Sequence, residues 1–224
     1  MVYSLGTQGA DEVSMTHSGF ALLAQNTPRG QVELIVDEDH LRRVVIDGML
    51  KASVSLDIMT ADFKAMLVPA PGIRGGGLSR GWGQGSGGAP SIVHHLVKLA
   101  QKGVEVRLLH AGVPSGPALR ELKKLMPKLK DQGGSLVIRR CPRLHSKAVI
   151  VDACAMYLGS ANLTGAGLGA KSAQRRNFEV GIWTHASPLI DSVLQGFNTL
   201  WEGQHCEACQ RKDFCPVPLE EPRL

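Results

Sequence analysis

Aromatic side chains are scarce in this chain: five Phe, three Trp and two Tyr, 4% of 224 residues. That supply is too small for the aromatic belt that seats proteins at a bilayer surface. A stacking platform for unpaired bases would have to draw on Trp82, Phe178, Trp183 and Trp201, most of which are expected in the core. Long apolar runs are also missing. No stretch approaches the roughly 20 residues needed to cross a membrane. Residues 1–30 are polar and glycine-containing, with neither a basic start nor a continuous apolar centre. No secretory signal is therefore read, and a cytoplasmic protein is expected.

What the chain does have is enough apolar material for one core, at 43% hydrophobic. One α/β domain over residues 31–203 is expected, with an N-terminal arm or edge strand at 1–30 and a cysteine-containing tail at 204–224. Residues 69–91 are dense in glycine and read as a long loop carrying Arg74 and Arg80. Val44 to Ala52 reads as a helix and Val54 to Met59 as a strand. Residues 96–109 read as a helix closed by Gly103, then a second strand.

Charge is unevenly spread. The whole chain carries +5, but Arg107 to Lys147 holds ten basic residues against Glu121 and Asp131, a net of +8. Part of this is the lysine face of an amphipathic helix around residues 119–126. Arg139, Arg140 and Arg143, followed later by Arg176, stand closer to the motif described next and are candidates for phosphate contact. A basic surface of this kind suits a polyanion such as nucleic acid, and would also attract anionic lipid headgroups.

Residues 145–162 place His145, Lys147, Asp152, Gly159, Ser160 and Asn162 in the spacing H-x-K-x4-D-x6-G-S-x-N. The intervening Ala148-Val-Ile-Val is β-branched and apolar, so the segment reads as a buried strand. Alternation puts His145 and Lys147 on one side and Asp152 on the other, in a supporting position. Gly159 admits close backbone approach, and Ser160 and Asn162 again share a side. The residue types fit phosphodiester chemistry. A neutral imidazole can attack phosphorus. Lys147 supplies a cation, and Ser160 and Asn162 supply neutral donors, for charge on the non-bridging oxygens. A second, protonated histidine must then donate to the leaving oxygen.

This pattern resembles the HKD signature of the phospholipase D superfamily. The resemblance covers residues from about 32 to about 203 and is densest at 143–162. It implies a mixed β-sheet with helices on both faces, and a phosphodiesterase that needs no cofactor for catalysis. It also implies that an acid in the segment Arg176-Asn-Phe-Glu179-Val-Gly-Ile, namely Glu179, hydrogen-bonds the catalytic histidine. The first half holds no second H-x-K, since His94-His95 and His110 lack the lysine. The resemblance is thus to the single-motif branch, in which two identical chains build one site on a two-fold axis. The expected function is a metal-independent nuclease, with DNA ahead of RNA as partner. The alternatives are a phospholipase or phosphatidyl-transferase, and a nucleic-acid-binding module without catalysis.

The tail carries Cys206, Cys209 and Cys215 as C-x2-C-x5-C. Such thiols suit a structural zinc or an iron–sulfur cluster, with Cys141 favoured over the sterically awkward His205 as fourth ligand. Cys154 is expected as a small core residue.

Overall fold

The computed structural model describes residues 32–68 and 89–222. The arm at 1–30 and nearly all of the glycine-rich loop, with Arg74, Arg80 and Trp82, lie outside the described residues. Seven strands form one sheet: β1 Glu33–Val36, β2 Ser55–Thr60, β3 Glu105–His110, β4 Leu136–Arg140, β5 Ala148–Val151, β6 Ala155–Gly159 and β7 Val180–Thr184. Their order is β1-β7-β6-β5-β2-β3-β4. The pairs β2–β3 and β3–β4 are parallel, and all others are antiparallel. The expected mixed sheet is present.

Helices cover both faces, which is why β5 is buried along its whole length. On one face Leu56, Ile58, Val106, Leu108, Val149 and Val151 pack in the main core. Helices α1 (Ile92–Gln101) and α2 (Gly116–Asp131) close that side. Ser91 caps α1 by accepting from His94 N at 3.2 Å, and Gly103, at φ 91°, lets the chain turn into β3. On the other face Met59, Leu109, Ala148 and Ile150 lie under α3 (Ser187–Trp201). Two arginines clamp α3. Arg107 pairs with Asp57 at 2.6 Å and lies over Phe197. Arg139 donates to Trp201 O at 2.8 Å and stacks on the Trp201 ring.

The helix expected at 44–52 is shifted and divided. A wide helical turn spans His40–Ile46 and a tighter one Met49–Lys51. Gly48 separates them because the Trp183 ring sits where a Cβ would stand, 2.5 Å away. Trp183 and most of Trp201 are core, as expected, but Phe178 is 95% exposed. Cys154 is not the core residue expected. It is exposed in the β5–β6 turn, with its thiol on Val151 O.

That turn is held by Asp152. Its carboxylate accepts from the backbone N–H of Ser53, Val54 and Ser55 and from Ser53 Oγ, at 2.8 to 3.1 Å. These bonds hold its pKa below the usual carboxylate range despite partial burial. Asp152 and Ala153 both adopt φ 52°, the geometry in which Asp-Gly is favoured.

Two outcomes follow for stability. Asp152→Ala should cost about 2–3 kcal/mol in a denaturant titration, since it strips the entry to β2 of its acceptor. Ala153→Gly should instead stabilise by up to about 1 kcal/mol. The pH response has a definite sign. His40, His95 and His110 are buried, and desolvation lowers each pKa. Below the usual histidine value of about 6.5 the unfolded chain binds more protons than the folded one. Stability should therefore be full above that pH and decline as pH falls from it toward the lowered native values, as a thermal melt series would show.

Candidate active site

Antiparallel pairing of β5 with β2 sets Met59 opposite Ala148. The C-terminal end of β2 and the approach to β5 therefore meet at one end of the sheet. His145 is exposed there, between buried Leu144 and buried Lys147. Lys147 is only 8% exposed. Its ammonium donates to His145 O at 2.7 Å and stands 3.1 Å from Nδ1 and 3.4 Å from Nε2 of the ring. Among the described residues no carboxylate pairs with it.

Gly159 N–H donates to Lys147 O at 3.1 Å, which brings the Gly-Ser segment alongside. A Cβ at Gly159 would stand 2.3 Å from the Tyr157 hydroxyl and 2.7 Å from the Gly181 Cα, so the expected close approach is present. Asn162 Oδ1 accepts from the N–H groups of Ala61 and Asp62, both at 3.0 Å. Its carbonyl is thus committed to the loop after β2, and its Nδ2 donors are left for another acceptor.

Two expected roles change. Glu179 does not bond His145. Its carboxylate accepts from the Ser160 hydroxyl and, at 2.9 Å, from Asn177 Nδ2. Ser160 Oγ in turn accepts from Val180 N. With its one proton on Glu179, the Ser160 hydroxyl is not the free phosphate donor expected. Asp152 lies at the far end of β5 from His145, a supporting position at the strand end from which it holds the strand pair.

The expected arginines are also largely engaged. Arg139 is spent on Trp201. Arg140 donates to Ala111 O at 3.1 Å, and Arg176 pairs with Glu38. Arg143 is exposed and points Nη1 at Cys209 Sγ, 3.7 Å away. Cations not foreseen as a group are Arg120, Lys124 and Lys171, which line one shallow depression near Ser91, at the same end of the sheet.

A supporting network was not foreseen. Buried His40 donates from Nδ1 to Asp37 O at 2.8 Å, so its Nε2, 2.9 Å from the Tyr157 hydroxyl, accepts from it. The Tyr157 oxygen accepts Ala161 N–H at 3.2 Å, and burial pushes the phenol up to about 12. Asp37 Oδ1 accepts Glu179 N–H at 2.9 Å. A lone histidine and tyrosine carry no spacing signal. The one clue was that Tyr157 lies within the motif, beside Gly159 and Ser160.

The cysteine tail returns to this end of the molecule. Cys141, Cys206, Cys209 and Cys215 are all reduced and half-buried, and all line one cavity of about 440 Å³ together with Arg143 and His145. Burial and the other three cysteines push the Cys206 thiol up. The Arg211 backbone N–H and the Arg143 side chain hold Cys209 down. Among the described residues, no three of His, Cys, Asp and Glu are drawn into a coordination sphere, and no helix is long and apolar enough to cross a membrane.

Curated protein sequences give no match. Among solved structures, NucT from Helicobacter pylori superposes with a TM-score of 0.51 at 15% identity, covering 77% of this chain and 96% of NucT. Nuc from Salmonella typhimurium, described as a phospholipase D family member, gives 0.51 at 18%, covering 88% of this chain and all of Nuc. At those identities the likeness concerns the fold. Residues 89–201, half of the chain, match the family described as "Cardiolipin synthase, PLD-like domain", and that match spans the complete motif from His145 to Asn162. The chain belongs to the phospholipase D-like family.

Proposed function

We propose that this chain is a nuclease that cleaves nucleic-acid phosphodiesters through a covalent phosphohistidine, in a site shared by two copies. The observation that carries the reading is Lys147: a lysine 8% exposed, its ammonium against an exposed imidazole, with no carboxylate partner among the described residues. A charge withdrawn from water without a counterion is costly. An anionic substrate oxygen would supply that counterion, and Asn162 Nδ2 would supply a neutral donor.

In the proposed cycle a neutral His145 forms a bond to phosphorus. The bond to the leaving oxygen breaks, and the protonated His145 of a second copy gives that oxygen its proton. The second copy's imidazole, now neutral, takes a proton from water. The resulting hydroxide displaces the first His145 from phosphorus. Both histidines then return to their starting states, with no metal needed to activate the water.

Two features support a second copy. One chain offers one exposed motif histidine, and the chemistry needs two. Beside the site, Val180 is 53% and Leu34 37% exposed on the paired strands β7 and β1, and Phe178, two residues before β7, is 95% exposed. A contiguous apolar strip of this kind is what an isologous contact would bury. The depression lined by Arg120, Lys124 and Lys171 favours a polymer with several phosphates over a single headgroup.

Labelled single- and double-stranded DNA and RNA, incubated without added divalent cation, should be cut by wild type. His145→Ala should lose at least about a thousandfold in rate, and Lys147→Ala about a hundredfold, with circular dichroism unchanged. Retained cleavage by His145→Ala would reject the mechanism, and cleavage of lipid phosphodiesters alone would reject the substrate. Mixing tests the shared site. When wild-type and His145→Ala chains are co-expressed, activity should fall with the square of the wild-type fraction. A linear fall would mean that each chain acts alone.

A further inference from the structure

The tail 204–222 has no fully buried side chain and no strand, and its regular structure is one short turn, Lys212–Phe214. Phe214 is 68% and Val217 50% exposed. A segment with so little apolar burial has little to offset its ordering entropy. It is nevertheless placed against the core. Arg140 N–H donates to Glu220 O at 3.0 Å, and Leu219 packs on the cluster of Met59, Leu109 and Leu144.

What the tail presents inward is sulfur. Cys206 and Cys209 form a tight turn, with Cys209 N–H on Cys206 O at 3.2 Å. Cys215 ends the short turn, and Cys141 comes from the core, fixed by its N–H on His110 O at 2.8 Å. Four reduced thiols from two segments 65 residues apart therefore surround one cavity. We infer that Cys141, Cys206, Cys209 and Cys215 bind one structural Zn²⁺ that staples the tail to the segment leading into His145.

The chemistry of the cavity favours this. Zinc with four thiolates carries a net charge of −2, and Arg140, Arg143, Arg211 and Lys212 all line the same space. Arg143 already points at Cys209 Sγ. A pair of cysteines two residues apart is the ordinary half-site of structural zinc. The full spacing C-x2-C-x5-C reproduces neither of the common cluster runs, C-x2-C-x2-C-x3-C or C-x4-C-x2-C. As the sulfurs stand they ring the cavity without meeting, and an ion would draw each to about 2.3 Å. Arg143 then has a role other than phosphate contact, as counterion to the thiolates.

The full chain, purified without chelator, should hold about one zinc per chain by plasma mass spectrometry. Titration with an organomercurial should release it as the four cavity thiols react, after the exposed Cys154, which needs no variant. Cys206→Ser with Cys209→Ser should drop zinc below about a tenth of an equivalent. In the cobalt-substituted protein, Cys141→Ser should lower the thiolate charge-transfer intensity per metal by about a quarter. Zinc-free wild type, iron with acid-labile sulfide, a disulfide among the four, or zinc and cobalt spectra indifferent to Cys141→Ser would each overturn the assignment. Because the readout is metal content, it stands or falls apart from nuclease activity.

Discussion

The antiparallel seam between β5 and β2 is the constraint on which the site depends. On one side of it β2, β3 and β4 run parallel, and on the other every neighbour is antiparallel. The reversal puts the end of β2 and the beginning of β5 at one edge, so Asn162, anchored to Ala61 and Asp62, lies at the same end as His145 and Lys147. Asp152 guards the opposite end of the seam by holding the residues that enter β2. The aspartate of the motif thus acts on the site through the register it protects.

Around that seam, buried polar groups are paired in series rather than singly. His40 receives the Tyr157 proton, Tyr157 receives Ala161 N–H, and Asp37 receives Glu179 N–H. Each link fixes the backbone on either side of Ser160. Tyr157 can lie flat only because Gly159 and Gly181 leave no Cβ beneath it. In a low-dielectric setting such a chain is stiff, since breaking one link strands a buried polar atom. Stiffness is useful where the Asn162 amide must be aimed.

Much of this was legible in the chain itself. The motif could be read because phosphoryl transfer demands particular side chains at particular parities, and apolar runs such as Ala148–Val151 could be read because burial on both faces excludes polar residues. The register of β5 on β2 was not legible, nor was the use of Arg139 on Trp201, because both depend on partners tens of residues away. The Glu179 role inferred by resemblance gave way to a bond with Ser160, which lies across a strand pair rather than along the sequence. His40 and Tyr157 escaped notice because a single buried polar residue has no period. Cys154 was misplaced because the second strand of the motif begins only at Ala155, which leaves Cys154 in the turn before it.

The motif from His145 to Asn162 is, topologically, one hairpin: β5, a three-residue turn of Asp152, Ala153 and Cys154, and β6. Its ends meet after closing a loop of only a few residues, so His145, Lys147 and the Gly-Ser segment can come together on the microsecond scale of hairpin formation. The contact of Asn162 with Ala61 spans 101 residues, and that of Arg143 with Cys209 spans 66. Such long-range closures carry the larger entropic cost and set the slower steps. The motif is therefore the most local element of the fold, while its placement against the loop after β2 and the cysteine tail waits on distant parts of the chain to arrive.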